Sequence, residues 1–389
     1  MAANLSWGAF GKATDLRQRI FFTLGLLIVY RLGTYIPVPG IDGQALREFM
    51  ADAGAGLGGI LNMFTGGAIS RMGIFALGIM PYISASIIVQ LLASMVPALE
   101  QMKKEGEQGR KKMNQWTRYG TVALALFQGY GIAISLQAGG LAHTPGAFFV
   151  ASCVITLVGG TMFLMWLGEQ ITARGIGNGI SLIIFAGIVA SLPGAVFGTL
   201  QQVANNEISA FAILVIAALV LGVTYFVVFM ERGQRRITVN YARRQGGRQA
   251  YMNQSSHLPL KLNMAGVIPA IFASSLIMFP ATMVQWFGQG SAPTGEGWRD
   301  SLNLFLQNLS QALAPSEPLH MLLYGAMIIG FAFFYTALVF NSQETADNLK
   351  KSGALVPGIR PGKATADYID GVLTRLTLIG SIYLVLVCL

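Results

Sequence analysis

The sequence is poor in the residues that carry polar chemistry. Its two cysteines, Cys153 and Cys388, stand far apart inside apolar runs, which speaks against a disulfide framework and leaves both as small hydrophobes. Three histidines, His143, His257 and His320, share no ligand spacing. There is no HExxH, no P-loop and no pair of intramembrane aspartates, so metal, nucleotide and acid–base catalysis have no candidate residues and no cofactor is expected. Gly175-Ile-Gly-Asn-Gly179 has the glycines of a phosphate loop, but it follows an apolar span where that loop follows a strand, and it reads as a tight turn. Charged residues make up 11% of the 389, against about 25% in a soluble domain. A water-soluble globule is excluded on that ground.

What is present is long apolar runs. A hydrocarbon core about 30 Å thick takes about 20 helical residues, and runs of that order fall near 19–36, 72–95, 119–138, 147–168, 179–198, 210–230, 264–287, 319–340 and 372–389. They are apolar on every face and lack strand alternation, so the expected fold is an all-α polytopic membrane protein. Basic residues set its orientation. The N-terminal segment and the loops on the same side carry 22 Lys/Arg, the opposite side only Arg47, Arg71 and Arg299, which predicts a cytoplasmic N-terminus. Arg31 is the one charge well inside a run, about a turn from its outer end, and reads as snorkelling to the interface.

Two motifs repeat. Gly78-Ile-Met-Pro-Tyr-Ile-Ser-Ala-Ser86 and Gly266-Val-Ile-Pro-Ala-Ile-Phe-Ala-Ser274 share the pattern G-x-x-P-x-I-x-A-S. Paired Gly/Pro interruptions at matching positions point to two five-helix halves, 1–200 and 201–389, related as an inverted repeat, with nine spans present of an expected ten. A chance match between two small-residue-rich helices is the alternative. Before the first copy lies a glycine-rich apolar stretch from Gly54 to Gly67, holding Ile60, Leu61, Met63 and Phe64. It is too short to span, and reads as a buried re-entrant segment or as an outer loop.

Midplane acids and histidines, the usual agents of ion or proton coupling, are missing from the central runs. Those runs offer isoleucine instead: Ile79 and Ile83, Ile180 and Ile184, and Ile271. Pairs spaced i, i+4 share a helix face, and a ring of branched apolar side chains dewets a pore without binding anything. The basic loops 231–261 and 341–371 are long for topology signals alone, and read as docking surfaces for an acidic or RNA-rich partner. A passive conduit, a small-solute transporter and an intramembrane enzyme are the three classes in play. The transporter needs a polar midplane site, and the enzyme needs a nucleophile–base pair.

Several stretches resemble the SecY family of protein-conducting channel subunits. They are Asn62-Met-Phe-Thr-Gly-Gly, Ala76-Leu-Gly-Ile-Met-Pro-Tyr-Ile-Ser-Ala-Ser, Glu169-Gln-Ile-Thr-Ala-Arg-Gly-Ile-Gly-Asn-Gly-Ile-Ser, Glu231-Arg-Gly-Gln-Arg-Arg-Ile, the run from Leu258 to Ser274, Glu344-Thr-Ala-Asp-Asn-Leu-Lys-Lys-Ser-Gly and Gly358-Ile-Arg-Pro-Gly. The resemblance implies a two-halved clamshell in the bacterial inner membrane that passes unfolded secretory chains across and releases membrane helices into lipid. It makes the segment near 57–70 a plug, and the five isoleucines a pore ring. Ser84, Gln128 and Asn263 become a polar cluster at a lateral gate. Arg243, Arg244, Arg248 and Arg360 become contacts for a SecA motor or the ribosome, through ribosomal RNA and proteins. Further implied partners are SecE-like and SecG-like subunits, signal peptides and nascent chains, membrane lipids, and accessory SecDF and YidC. The family's tenth helix and cytoplasmic tail have no counterpart in the sequence, and Ser342 stands where many relatives have proline.

Overall fold

The computed structural model describes residues 14–43, 45–46, 62, 65–97, 99, 101, 106–205, 209–241, 255–287, 308 and 317–389. The chain divides into two compact units, Met1–Asn205 with Met278–Glu317, and Asn206–Ile277 with Pro318–Leu389.

The first unit holds α1 (Thr14–Gly33), α2 (Met80–Met95), α3 (Glu107–Ala138), α4 (Ala147–Arg174) and α5 (Gly179–Ala204). Helices α3 and α4 are its packed centre. Ala125, Gly129 and Ala133 recur every fourth residue on α3, and both alanines are wholly buried. A Cβ on Gly129 would lie 3.8 Å from Leu157 Cβ and from the Val154 backbone. Such a stripe of small residues lets two helices approach where lipid supplies no hydrophobic drive. Leu157 and Cys153 fill the space opposite. The buried hydroxyls of Thr121 and Thr161 are satisfied within their own helices, by Thr117 O at 2.7 Å and Leu157 O at 3.1 Å, as suits an environment without water.

The second unit holds α6 (Ala210–Arg232), β1 (Gln234–Tyr241), β2 (Ser255–Lys261), the start of α7 (Ile268–Phe287) as far as Ile277, α8 (Pro318–Val339), α9 (Ser342–Lys351), β3 (Ala354–Leu355) and α10 (Lys363–Cys388). The three strands form one antiparallel sheet in the order β2-β1-β3, with Ile237 opposite Leu258 and Tyr241 opposite Ala354. This sheet is an addition to the all-α expectation. Its buried face, Ile237 and Leu260, packs with Val356 onto Ile369, Leu373 and Leu376 of α10. Nearer the chain's end Ala270, Ala273, Ile328, Tyr383 and Leu384 make a second cluster.

Every expected run contains a helix, and six helices among the described residues are long and apolar enough to cross a membrane: α3, α4, α5, α6 from Phe211, α8 within the run Pro318–Lys351, and α10. The run 72–95 needs correction. Residues 72–79 are turns, and helix begins only at Met80. Met72 has φ +40° and Gly78 φ +57°, and neither fits a right-handed helix. The remaining 16 residues of α2 reach about 24 Å at 1.5 Å per residue, short of the hydrocarbon thickness. The first run is shifted too, since α1 ends at Gly33 and Pro37 bridges to Gly73 beyond it.

Candidate functional site

The two copies of G-x-x-P begin their helices in the same way. Gly78 has φ +57° and Gly266 φ +63°, and α2 and α7 each start two residues later with proline second. A left-handed residue halts the preceding backbone, glycine takes that conformation without a Cβ penalty, and proline suits the first turn because its missing N–H has no partner there. The repeat therefore sets where each isoleucine sits. Ile79 is the N-cap of α2 and Ile83 lies one turn on, its N–H bonded to Ile79 O at 3.1 Å. Both are buried within the first unit. Ile271 is half-buried on α7, and its carbonyl accepts the hydroxyls of Ser274 and Ser275 at 2.9 and 2.8 Å.

Ile180 and Ile184 are half-buried in the first two turns of α5. Asn178 caps that helix, its Oδ1 accepting from Ile180 N at 3.0 Å and Ser181 N at 3.4 Å. A Cβ on Gly179 would strike Gly168 O, and one on Gly168 would lie 3.1 Å from Ile180 Cγ1. The start of α5 is thereby pressed against α4, which also touches α2. One unit thus carries four of the five isoleucines, as two i, i+4 pairs on α2 and α5, and the other carries Ile271.

The three gate-cluster residues divide likewise. Ser84, half-buried on α2, and Gln128, buried on α3, belong to packed helices of the first unit. Asn263 is buried in the second unit, where its side-chain nitrogen donates to Glu231 Oε1 at 2.9 Å and to Gly266 O at 3.2 Å. Asn263 therefore ties the end of α6 to the left-handed glycine that starts α7, a role its spacing from either residue did not announce.

Of the plug residues, Ile60, Leu61, Met63 and Phe64 lie outside the described residues. The described part, Asn62 and residues 65–70, is closed on itself. Ser70 N donates to Asn62 Oδ1 at 2.9 Å and Gly67 N to Asn62 O at 2.8 Å. Two backbone bonds, Val38 N to Met72 O at 2.8 Å and Ile74 N to Ile36 O at 2.9 Å, anchor residues 72–74 beyond it. Arg31, near the end of α1, has protein partners. Its guanidinium donates to Gly66 O and, at 3.1 Å, to Tyr35 Oη. The Gly66 carbonyl comes from the chain 35 residues on, a contact that the sequence alone does not show.

Arg243, Arg244 and Arg248 also lie outside the described residues. Arg360 is exposed between β3 and α10, and its carbonyl accepts Thr365 Oγ1 at 2.9 Å. The left-handed Gly358 and Gly362 flank it, with φ +83° and +106°. The sheet joins the two long basic loops, since β1 and β2 come from one and β3 from the other. Alternation of Ile237 and Val239 with polar neighbours was the available signal. At the neighbouring α9, Asn341 caps and Ser342 Oγ donates to Asp370 Oδ1 at 3.1 Å.

The SecY family profile matches residues 73–389. The chain belongs to the SecY family. Among its relatives, the protein translocase subunit SecY of Escherichia coli K12 is 58% identical over 385 residues, covering 98% of this chain and 85% of that one. The SecY of Buchnera aphidicola subsp. Acyrthosiphon kondoi is 58% identical over 355 residues, 90% of this chain and 97% of that protein. The fold is similar to a solved protein-conducting channel at TM-score 0.68 and 18% identity, covering 96% of this chain and 85% of the other. It is also similar to Sec61 from a canine ribosome–channel complex of the endoplasmic reticulum, at TM-score 0.64 and 16% identity, covering 95% and 85%. As a SecY-family chain with six helices among its described residues able to cross a bilayer, it is a multi-pass protein of the bacterial inner membrane.

Proposed function

We propose that this chain is the gated conduit of a protein translocase, passing unfolded secretory chains across the inner membrane and releasing membrane helices sideways into lipid. As a SecY-family member it is a translocase subunit, a role of passage rather than of bond chemistry. The observation that carries the reading is the placement of Ile79, Ile83 and Ile271 on helices begun by the same left-handed-glycine and proline device, one in each unit. With Ile180 and Ile184 they supply branched apolar side chains for a constriction that excludes ions by dewetting and yields to a passing polypeptide. The halves 1–200 and 201–389 are read as the two jaws, with the N-terminus cytoplasmic. The segment 57–70 is the plug, and Ser84, Gln128 and Asn263 line the lateral seam. Driving force comes from a motor or a translating ribosome bound at the basic loops, where the exposed Arg360, and Arg243, Arg244 and Arg248, supply charge. SecE-like and SecG-like subunits complete the assembly. The structural relatives include a Sec61 channel in a ribosome complex, which supports the ribosome as partner.

The test is ion tightness. Ile83→Asp or Ile271→Asp, reconstituted in proteoliposomes with the small partner subunits, should conduct small ions at rest. Tight vesicles from both variants would remove the ring.

A further inference from the structure

The last turn of α1 reaches the plug segment through its backbone. Tyr30 Oη donates to Thr65 O at 3.3 Å and Arg31 Nη1 to Gly66 O. These are consecutive carbonyls, taken by consecutive residues of one helix turn. The donors are themselves held. Tyr30 is buried and stacks on Phe75 at 6.1 Å, which stacks in turn on Phe163 of α4 at 6.0 Å. Arg31 bonds Tyr35 Oη and lies 5.0 Å over the Tyr35 ring, whose centroid is 4.2 Å from the Arg71 guanidinium carbon. The acceptors sit in a tight place. Gly66 has φ +65°, and a Cβ there would come 3.1 Å from Gly187 Cα of α5 and 3.2 Å from Tyr30 Oη. A Cβ on Gly78, at the head of α2, would meet Thr65 Cγ2 at 3.0 Å. The root of the segment is therefore seated between α1, α5 and the start of α2.

We infer that Tyr30 and Arg31 form a clasp on the root of the plug, and that they are positioning residues which set how readily the plug leaves its seat. The inference rests on the reading of 57–70 as a plug. Because the clasp takes carbonyl oxygens, it makes no demand on the side chains of the segment it holds. One of its two bonds is charge-assisted and so about twice as strong as a neutral one, yet both exchange for bonds to water when the segment leaves, which keeps the clasp reversible. Loss of Arg31's bond should shift the seated-to-released ratio about tenfold.

The experiment uses the complex with its small partner subunits in proteoliposomes, and compares Arg31→Gln, Tyr30→Phe, a deletion of residues 57–70, and the deletion combined with each substitution. Two readouts are taken: resting ion leak, and export of a substrate with a disabled signal sequence. The clasp predicts that Arg31→Gln raises both about tenfold and Tyr30→Phe raises both less, while export of a normal substrate is retained. The deletion raises both further, and adding either substitution to it changes nothing. Wild-type leak in Arg31→Gln and Tyr30→Phe beside a leaky deletion would overturn the clasp and leave the plug reading standing. Leak that adds to the deletion's would show that the two residues act elsewhere. A tight deletion variant would remove the plug reading and the clasp with it. If Arg31→Gln does not assemble, Tyr30→Phe, which removes one hydroxyl, decides by the same comparisons.

Discussion

Gly159 and Gly160 are adjacent on α4, and the structure assigns opposite outcomes to their replacement by alanine. A Cβ on Gly160 would run into the carbonyl oxygen of Ile74 and lie 3.3 Å from Phe75 Cδ1. Neither obstacle can rotate away: one is backbone, and the other is a fully buried ring stacked between Tyr30 and Phe163. The segment must move, and overpacking of this kind costs about 1–3 kcal/mol. Gly159 is exposed, with nothing within 4 Å of its built Cβ. Alanine there relieves backbone entropy and gains at most about 0.5–1 kcal/mol. At about 2–4 °C per kcal/mol for a unit of this size, thermal unfolding of the detergent-purified complex should drop by several degrees for Gly160→Ala and hold or rise slightly for Gly159→Ala. The displaced carbonyl belongs to the segment that ends at Ile79, so Gly160→Ala should also raise resting ion leak. Equal melting temperatures for the two variants would refute the packing of 72–79 against α4.

Three further outcomes rest on single contacts. Asn178→Ala removes the cap on Ile180 and Ser181 and should cost about 1 kcal/mol, with a small rise in leak because the frayed turn carries Ile180. Circular dichroism melts and vesicle leak assays check this. Arg360→Glu, exposed and outside the sheet's buried face, should abolish motor-driven export in inverted vesicles while leaving assembly with the small subunits intact. Arg118 and Glu169 form an ion pair, bidentate and partly exposed between α3 and α4. Arg118→Gln should lower stability by no more than about 1 kcal/mol, read from the same melts.

Helix positions were legible because lipid imposes one simple demand, a long uninterrupted apolar run. Boundaries were legible only where a local device sets them. Asn178 and Asn341 are such devices, N-caps that fix where α5 and α9 begin. The turn over 72–79 could not, since it is held by Val38, Ile36 and Gly160, which are distant in sequence. The repeat was readable at Gly78/Pro81 and Gly266/Pro269, and its physical content is a shared positive φ that glycine advertises. Arg31 stood out in the sequence as a charge near the end of an apolar run, while the carbonyl it reaches lies 35 residues on and did not. The sheet was missed because β1 and β2 are short strands inside one basic loop, and β3 joins them from more than a hundred residues away, Ala354 beside Tyr241. Asn263 showed its polarity in the sequence, but its bonds to Glu231 and Gly266 depend on how α6 and α7 meet.

The central claim is that a translocating polypeptide passes Ile83, and photocrosslinking tests it most directly. A photoreactive residue at position 83, in membranes carrying a stalled secretory chain, should crosslink to that chain and lose the crosslink when the signal sequence is disabled. Absence of the crosslink, with motor or ribosome still bound at the basic loops, would contradict the placement of the pathway through this helix.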